Sequence, residues 1–219
     1  MTNTIQYTFT PSLSVRCLTH ISNGSANLTI ESIGNVSADY ERYSKVDTPG
    51  KAKDYSKIYG LWLKDNGSEA NGPRLYGQLL NGPVLFGYLN GPEKTRLSND
   101  LRSVYSVDYS KMQRQTSKGR VIYTYPVTIS LRKYAEAERS YADSLGLPMT
   151  NRINPANYAA NAKVKLDFSV DVFSRQLRGI GLNGGNEVYS SYGVQGDISL
   201  PAKTVSDQVL QNAFQQATK

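Results

Sequence analysis

The sequence predicts an α+β fold: a large, curved antiparallel sheet, an open half-barrel, covered by two or three helices. Three observations carry that expectation. Short runs alternate apolar and polar residues with period two along most of the chain. The clearest amphipathic helix follows directly on a strand, and it needs a surface to cover. No strand–helix–strand alternation of the kind that builds a parallel sheet occurs. One domain spanning residues 1–219 is expected, since a chain of this length supports one substantial core.

The central stretch runs from Arg120 to Leu147. In RVIYTYPVTIS, Val121, Tyr123, Tyr125, Val127 and Ile129 fall on one side of an extended chain, and Thr124, Thr128 and Ser130 on the other. From Leu131 the period becomes helical. Tyr134, Ala137, Tyr141 and Leu145 form a stripe opposite Lys133, Glu136, Ser140 and Asp143. Ser130 is placed to cap the start, Gly146 to take the left-handed position after the end, and Pro148 to prevent continuation.

Upstream, Ile5, Tyr7 and Phe9 alternate with polar residues, as do Leu13, Val15 and Cys17 after Pro11. Asn23-Gly24 marks a hairpin turn into Ala26, Leu28 and Ile30, and Val36, Ala38 and Tyr40 continue the meander. KIYGLWLKD carries Ile58 and Trp62 on one face and Tyr59, Leu61 and Leu63 on the other, so it is expected as a central strand covered on both sides. Asn66 to Pro92 holds three Asn-Gly-Pro triplets around RLYGQLL and VLFGYL, which suit short helical turns or lid-like loops.

KTRLSNDLRS is expected as a short helix. SVYSVDYS follows as a strand with Tyr105, Val107 and Tyr109 facing one way, and KMQRQTSKG as a loop. NRINPANYAANA is irregular or one helical turn after Pro155. KVKLDFSVDV places Val164, Leu166, Phe168, Val170 and Val172 on a buried face and Lys163, Lys165, Asp167, Ser169 and Asp171 on a wet one. A hairpin is expected from Leu177 to Leu182, through Asn183-Gly184-Gly185, and back along Val188 to Leu200. A last helix, capped by Thr204, carries Val205, Val209 and Phe214 as its apolar residues.

Composition excludes some classes. No apolar run approaches the roughly 20 residues of a membrane-spanning helix. The net charge of +7 comes from basic residues spread along the chain without a block, so a generally basic surface accounts for it and no specific nucleic-acid partner is expected. A single cysteine, Cys17, rules out a disulfide within the chain, and its place in an alternating run marks a buried thiol. The single histidine, His20, has no partner ligands for zinc and no triad context. GLNGGN is followed by a strand and not a helix, so it is no dinucleotide fingerprint. Asp167 and Asp171 share the wet face of a strand and, placed with Glu187 or Asp197 from neighbouring strands, would form a carboxylate pair of the glycosidase type, but solvated sheet charges explain them at least as well. Neither catalytic residues, metal nor cofactor is therefore assigned, and the chain reads as a non-enzyme.

Three passages carry a resemblance: GRVIYTYPVTISLRKYAEAERSYADSLGL, KVKLDFSVDVFSRQLRGI and EVYSSYGVQGDISLPAKTV. From about Tyr105 to the end the chain resembles bacterial envelope lipoproteins, and in the order of its elements it is similar to LolA/LolB and LppX/LprG-type carriers. In those an unclosed, curved sheet wraps helices around an apolar cavity for acyl chains. The resemblance implies a monomeric domain in the cell envelope or outside the cell, holding a lipid or acyl chain, and fixed to a membrane surface by a lipid anchor preceding Met1. The ligand-contacting residues come from the apolar faces themselves. Trp62, Tyr123 and Tyr125 are candidates for the sheet wall, and Leu75, Tyr76, Leu79, Leu85, Phe86, Tyr88 and Leu89, with Tyr134 and Tyr141, for the lid. Each methylene buried would contribute about 0.8 kcal/mol. The competing expectation is a structural or adhesive surface domain with a filled interior.

Overall fold

The computed structural model describes residues 1–8, 13–35, 38–48, 53–65, 82–85, 89–117, 119–146, 153–182, 185–194 and 198–217. Its described elements form an α+β fold of two antiparallel sheets and three α-helices, with no closed barrel among the described residues. The chain folds as two compact units. The first comprises Met1–Tyr88, Gly146–Met149 and Gln195–Lys219, and the second Leu89–Leu145 and Thr150–Val194.

The sheet of the first unit is a meander of β1 (Thr2–Thr8), β2 (Ser14–Ser22), β3 (Asn27–Asn35), β4 (Asp39–Asp47) and β5 (Leu63–Asp65), paired in that order. Ile5 and Cys17 are partners, so the two runs either side of Pro11 are separate, paired strands. Asn23 makes the next turn by accepting from the backbone N–H of Ser25 and Ala26. One face of the sheet meets the C-terminal helix. Val46, Tyr55, Ile58 and Leu210 form a buried cluster with Leu28, Tyr43 and Phe214 packed on it, and the Tyr43 and Phe214 rings meet edge-on at 5.1 Å.

KIYGLWLKD is not a central strand. Residues 56–60 form a turn, and only Leu63–Asp65 pairs, at the edge beyond β4. Gly60 sits at φ +84°, which L side chains rarely adopt, and this breaks the extended run. The Tyr59 hydroxyl then fastens the turn, donating to the Val46 carbonyl at 3.0 Å and accepting from its N–H at 3.1 Å. The far side of β5 meets Val205, whose N–H donates to the Trp62 carbonyl at 2.8 Å.

In the second unit, α1 (Gly91–Arg102) precedes β6 (Tyr105–Val107), β7 (Gln113–Ser117) and β8 (Arg120–Ser130). Then α2 (Leu131–Ser144), β9 (Lys163–Asp171), β10 (Leu177–Leu182) and β11 (Gly185–Val188) follow. The strand order is β11-β10-β9-β8-β6, with β7 also on β8. Two short strands thus share one edge of β8. β7 pairs with Arg120–Thr124 and β6 with Val127–Ile129. Pro126 falls in the gap between them. Its carbonyl accepts from Asp108 N at 3.0 Å, and because the two main-chain groups of one strand residue point the same way, its missing N–H lies where no ladder partner is needed.

β8 and α2 occupy the residues the sequence indicated. Gly146 takes φ +67° beyond the helix end, as its position required. Ser130 is the N-cap residue, but its side chain makes no capping hydrogen bond. The buried stripe of α2 includes Ala135 and Ala142 beside Ala137 and Tyr141, so it is wider and smaller-residued than the tyrosine stripe alone.

Other expectations need correction. KMQRQTSKG contains strand β7, missed because QRQTS is polar throughout and its described side chains are exposed. Tyr109 lies in a 3-10 turn after β6, not in the strand. The hairpin return stops at Val188, and 189–194 are irregular. The last helix, α3 (Asp207–Ala217), begins after Ser206, whose side chain accepts from Val209 N at 3.4 Å. It buries Leu210 and leaves Val209 exposed. Asp171 is not on a wet face. It is buried, and its Oδ1 accepts from the N–H groups of Phe173 and Ser174 to shape the β9–β10 turn. The expected lid falls mostly outside the described residues.

Candidate functional site

The second unit offers the denser chemistry. Register places Tyr125 opposite Phe168, Phe168 opposite Ile180, and Ile180 opposite Glu187, so these four share one face of the sheet. Tyr105 joins that face through Ile129. Tyr134, from the first turn of α2, sets its ring edge-on to Tyr105 at 6.5 Å and 75°, and Tyr105 meets Phe168 at 6.2 Å and 63°. A second chain of rings continues outward, Tyr125 lying 6.0 Å from Tyr109 and 6.1 Å from Tyr123.

The environment of the inner rings is apolar. Burial pushes the Tyr105 phenol up to about 12. Burial, then the neighbouring Tyr105, Glu138 and Glu187, push Tyr134 still higher. One turn along α2, burial raises the Glu138 carboxyl to about 7. The Tyr189 hydroxyl donates to Glu187. Near neutral pH the phenols are neutral donors and Glu138 is partly protonated. The seam is thus a run of half-buried rings with a partly protonated carboxyl and a Glu187–Tyr189 hydrogen bond at its margin.

Of the expected site residues, Tyr123, Tyr125 and Tyr134 lie in these ring chains. Tyr141 is buried in the packed stripe of α2. Trp62 belongs to the first unit and lies under the Arg42 guanidinium at 4.6 Å. Leu85 and Leu89 are half-buried, in the first and second units respectively. Leu75, Tyr76, Leu79, Phe86 and Tyr88 lie outside the described residues. Tyr105, Phe168, Glu138, Glu187 and Tyr189 were not among the expected site residues. Alternation marks Tyr105 and Phe168 as inward-facing, but only strand register tells that they meet.

The first unit carries a charged row on the sheet face opposite Cys17. Glu31, 3% exposed, pairs with Arg16 Nε at 2.6 Å on one oxygen and with Arg42 on the other. Buried Cys17 has its thiol raised by burial, so it is no ready nucleophile. His20 Nδ1 lies 3.0 Å from Thr29 Oγ1 on an exposed stretch. Among the described residues no group of three or more His, Cys, Asp or Glu could hold a metal ion, and no helix is long and apolar enough to cross a membrane.

Fold and seam together define an α+β protein of two antiparallel-sheet units, one with an aromatic seam between helix and sheet. No protein-family model, curated protein or solved structure matches the chain significantly.

Proposed function

We propose that this is a non-enzymatic domain of the cell envelope that holds a lipid or acyl chain, with the seam between α2 and the sheet of the second unit as the binding site. The observation that carries the reading is the Tyr105–Tyr134–Phe168 cluster. Its rings are half-buried and meet edge-on at 6.2 to 6.5 Å, so together they present a continuous apolar surface between helix and sheet. An acyl chain laid against them would gain roughly 0.8 kcal/mol per methylene buried.

Native mass spectrometry of protein purified from a lipid-rich host tests this. Bound lipid, lost in Tyr134→Asp, is the expected result. Lipid-free protein that also takes up no added fatty acid would overturn it.

One feature favours a second reading, a structural or adhesive surface domain. Ala135, Ala137 and Ala142 are at most 3% exposed, which suits close helix packing over a filled interior. Absence of any bound lipid would select this reading.

A further inference from the structure

One end of the sheet in the second unit exposes apolar side chains that the seam does not use. Phe173, at the β9–β10 turn, is 82% exposed, Val188 81%, Val194 65% and Tyr192 41%. Hydrogen bonds bring them to one place. Val188 pairs with Gly179, Tyr189 N–H donates to the Arg178 carbonyl, and the Tyr192 hydroxyl donates to the Leu177 carbonyl, so 188–192 run beside the residues that follow the turn.

The turn is held rigidly. Asp171 Oδ1 accepts from Phe173 N at 3.0 Å and Ser174 N at 2.8 Å, and Arg175 N–H donates to the Asp171 carbonyl at 2.9 Å. Arg175 itself sits at φ +56°, an uncommon conformation for a non-glycine residue. The turn thus holds the exposed Phe173 ring in one place, ready to meet a partner surface.

The charge around it is positive. Arg120 and Arg178 approach Asp171 Oδ2 at 3.4 and 4.0 Å, and exposed Arg175 adds a third positive charge on the same turn. Val172 N–H donates to the Val121 carbonyl, which keeps the start of β8 and Arg120 beside the turn.

We propose that this end of the sheet docks on an anionic lipid bilayer, with Phe173 entering the acyl boundary and Arg120 and Arg175 meeting the headgroups. The exposed apolar side chains are few and lie beside the guanidiniums of Arg120 and Arg175, a pairing that matches the acyl boundary and headgroup layer of an anionic bilayer. It suits shallow insertion, where an aromatic ring and arginines act together. The docking does not depend on carriage of a lipid in the seam: co-purified lipid reads one, vesicles the other, and either can fail alone.

The test is co-sedimentation of the full chain with phosphatidylcholine vesicles, with and without about one-third phosphatidylserine. Wild type is expected to sediment with the anionic vesicles only, and less at high salt. Phe173→Ser should bind roughly tenfold more weakly, and Arg175→Asn, which tolerates the left-handed backbone, several-fold more weakly. Phe173→Trp should bind and shift its emission to the blue over the Trp62 background. No sedimentation of wild type, undiminished binding by Phe173→Ser, or an unshifted tryptophan each overturns the proposal. So does Phe173-dependent self-association without vesicle binding, which would assign the patch to a second copy of the chain.

Discussion

Tyr134 of α2 and Tyr105 of β6 meet edge-on, 6.5 Å between ring centres, where the helix crosses onto the sheet. Removing the ring with Tyr134→Ala should cost about 3 kcal/mol, the low end of the range for aromatic truncation because the residue is only half-buried. Tyr134→Phe keeps the ring and should cost under about 1 kcal/mol. Urea denaturation midpoints separate the two, and equal losses would show that the ring contributes no packing.

Glu138 ties stability to pH through the same seam. Its folded-state pKa, raised from 4.5 to about 7 by burial, means the folded protein keeps a proton that the unfolded chain has released. Stability should therefore fall as pH rises from about 4.5 to about 7 and level off above that. Glu138→Gln should remove this component of the slope. A pH series of denaturant midpoints for the two proteins checks it, and identical slopes would refute it.

Glu31 lies between Arg16 and Arg42 with its carboxylate buried. Glu31→Ala should cost about 3 kcal/mol, because it leaves two guanidiniums facing each other; their own access to water keeps the figure at the low end for a broken buried pair. Replacing all three by apolar residues of similar volume should recover most of that loss. Chemical denaturation of the single and triple variants measures it.

Asp171 works in the opposite pH direction to Glu138. The N–H of Ser174 leads the causes that lower its pKa, together with the N–H of Phe173 and the Arg120 guanidinium. The stability it contributes is present above the unfolded-state pKa near 3.8 and is lost as pH falls through the lower folded value. Asp171→Asn keeps an acceptor for the turn and should destabilise less than Asp171→Ala. Denaturant midpoints at neutral pH rank them, and equal losses would show that the turn hydrogen bonds contribute nothing beyond the charge that both variants remove.

Local pattern alone determined most of the elements. Alternation in RVIYTYPVTIS and in KVKLDFSVD gives β8 and β9, and the change of period at Leu131 gives α2, because one buried face imposes a period that is visible residue by residue. Where no such face exists the pattern is silent or misleads. QRQTS pairs through its backbone with nothing apolar to announce it, and KIYGLWLKD looks like a strand until Gly60 turns it.

Register, partners and charge burial were settled only in three dimensions. Nothing local says that Tyr125 faces Phe168, that Tyr134 reaches Tyr105, or that Asp171 leaves the wet face to organise a turn. Those pairings join residues far apart in the chain, and their energies depend on which neighbours exclude water. The amino-acid order thus wrote the faces of each strand and helix, while the pairing of the strands chose which faces met.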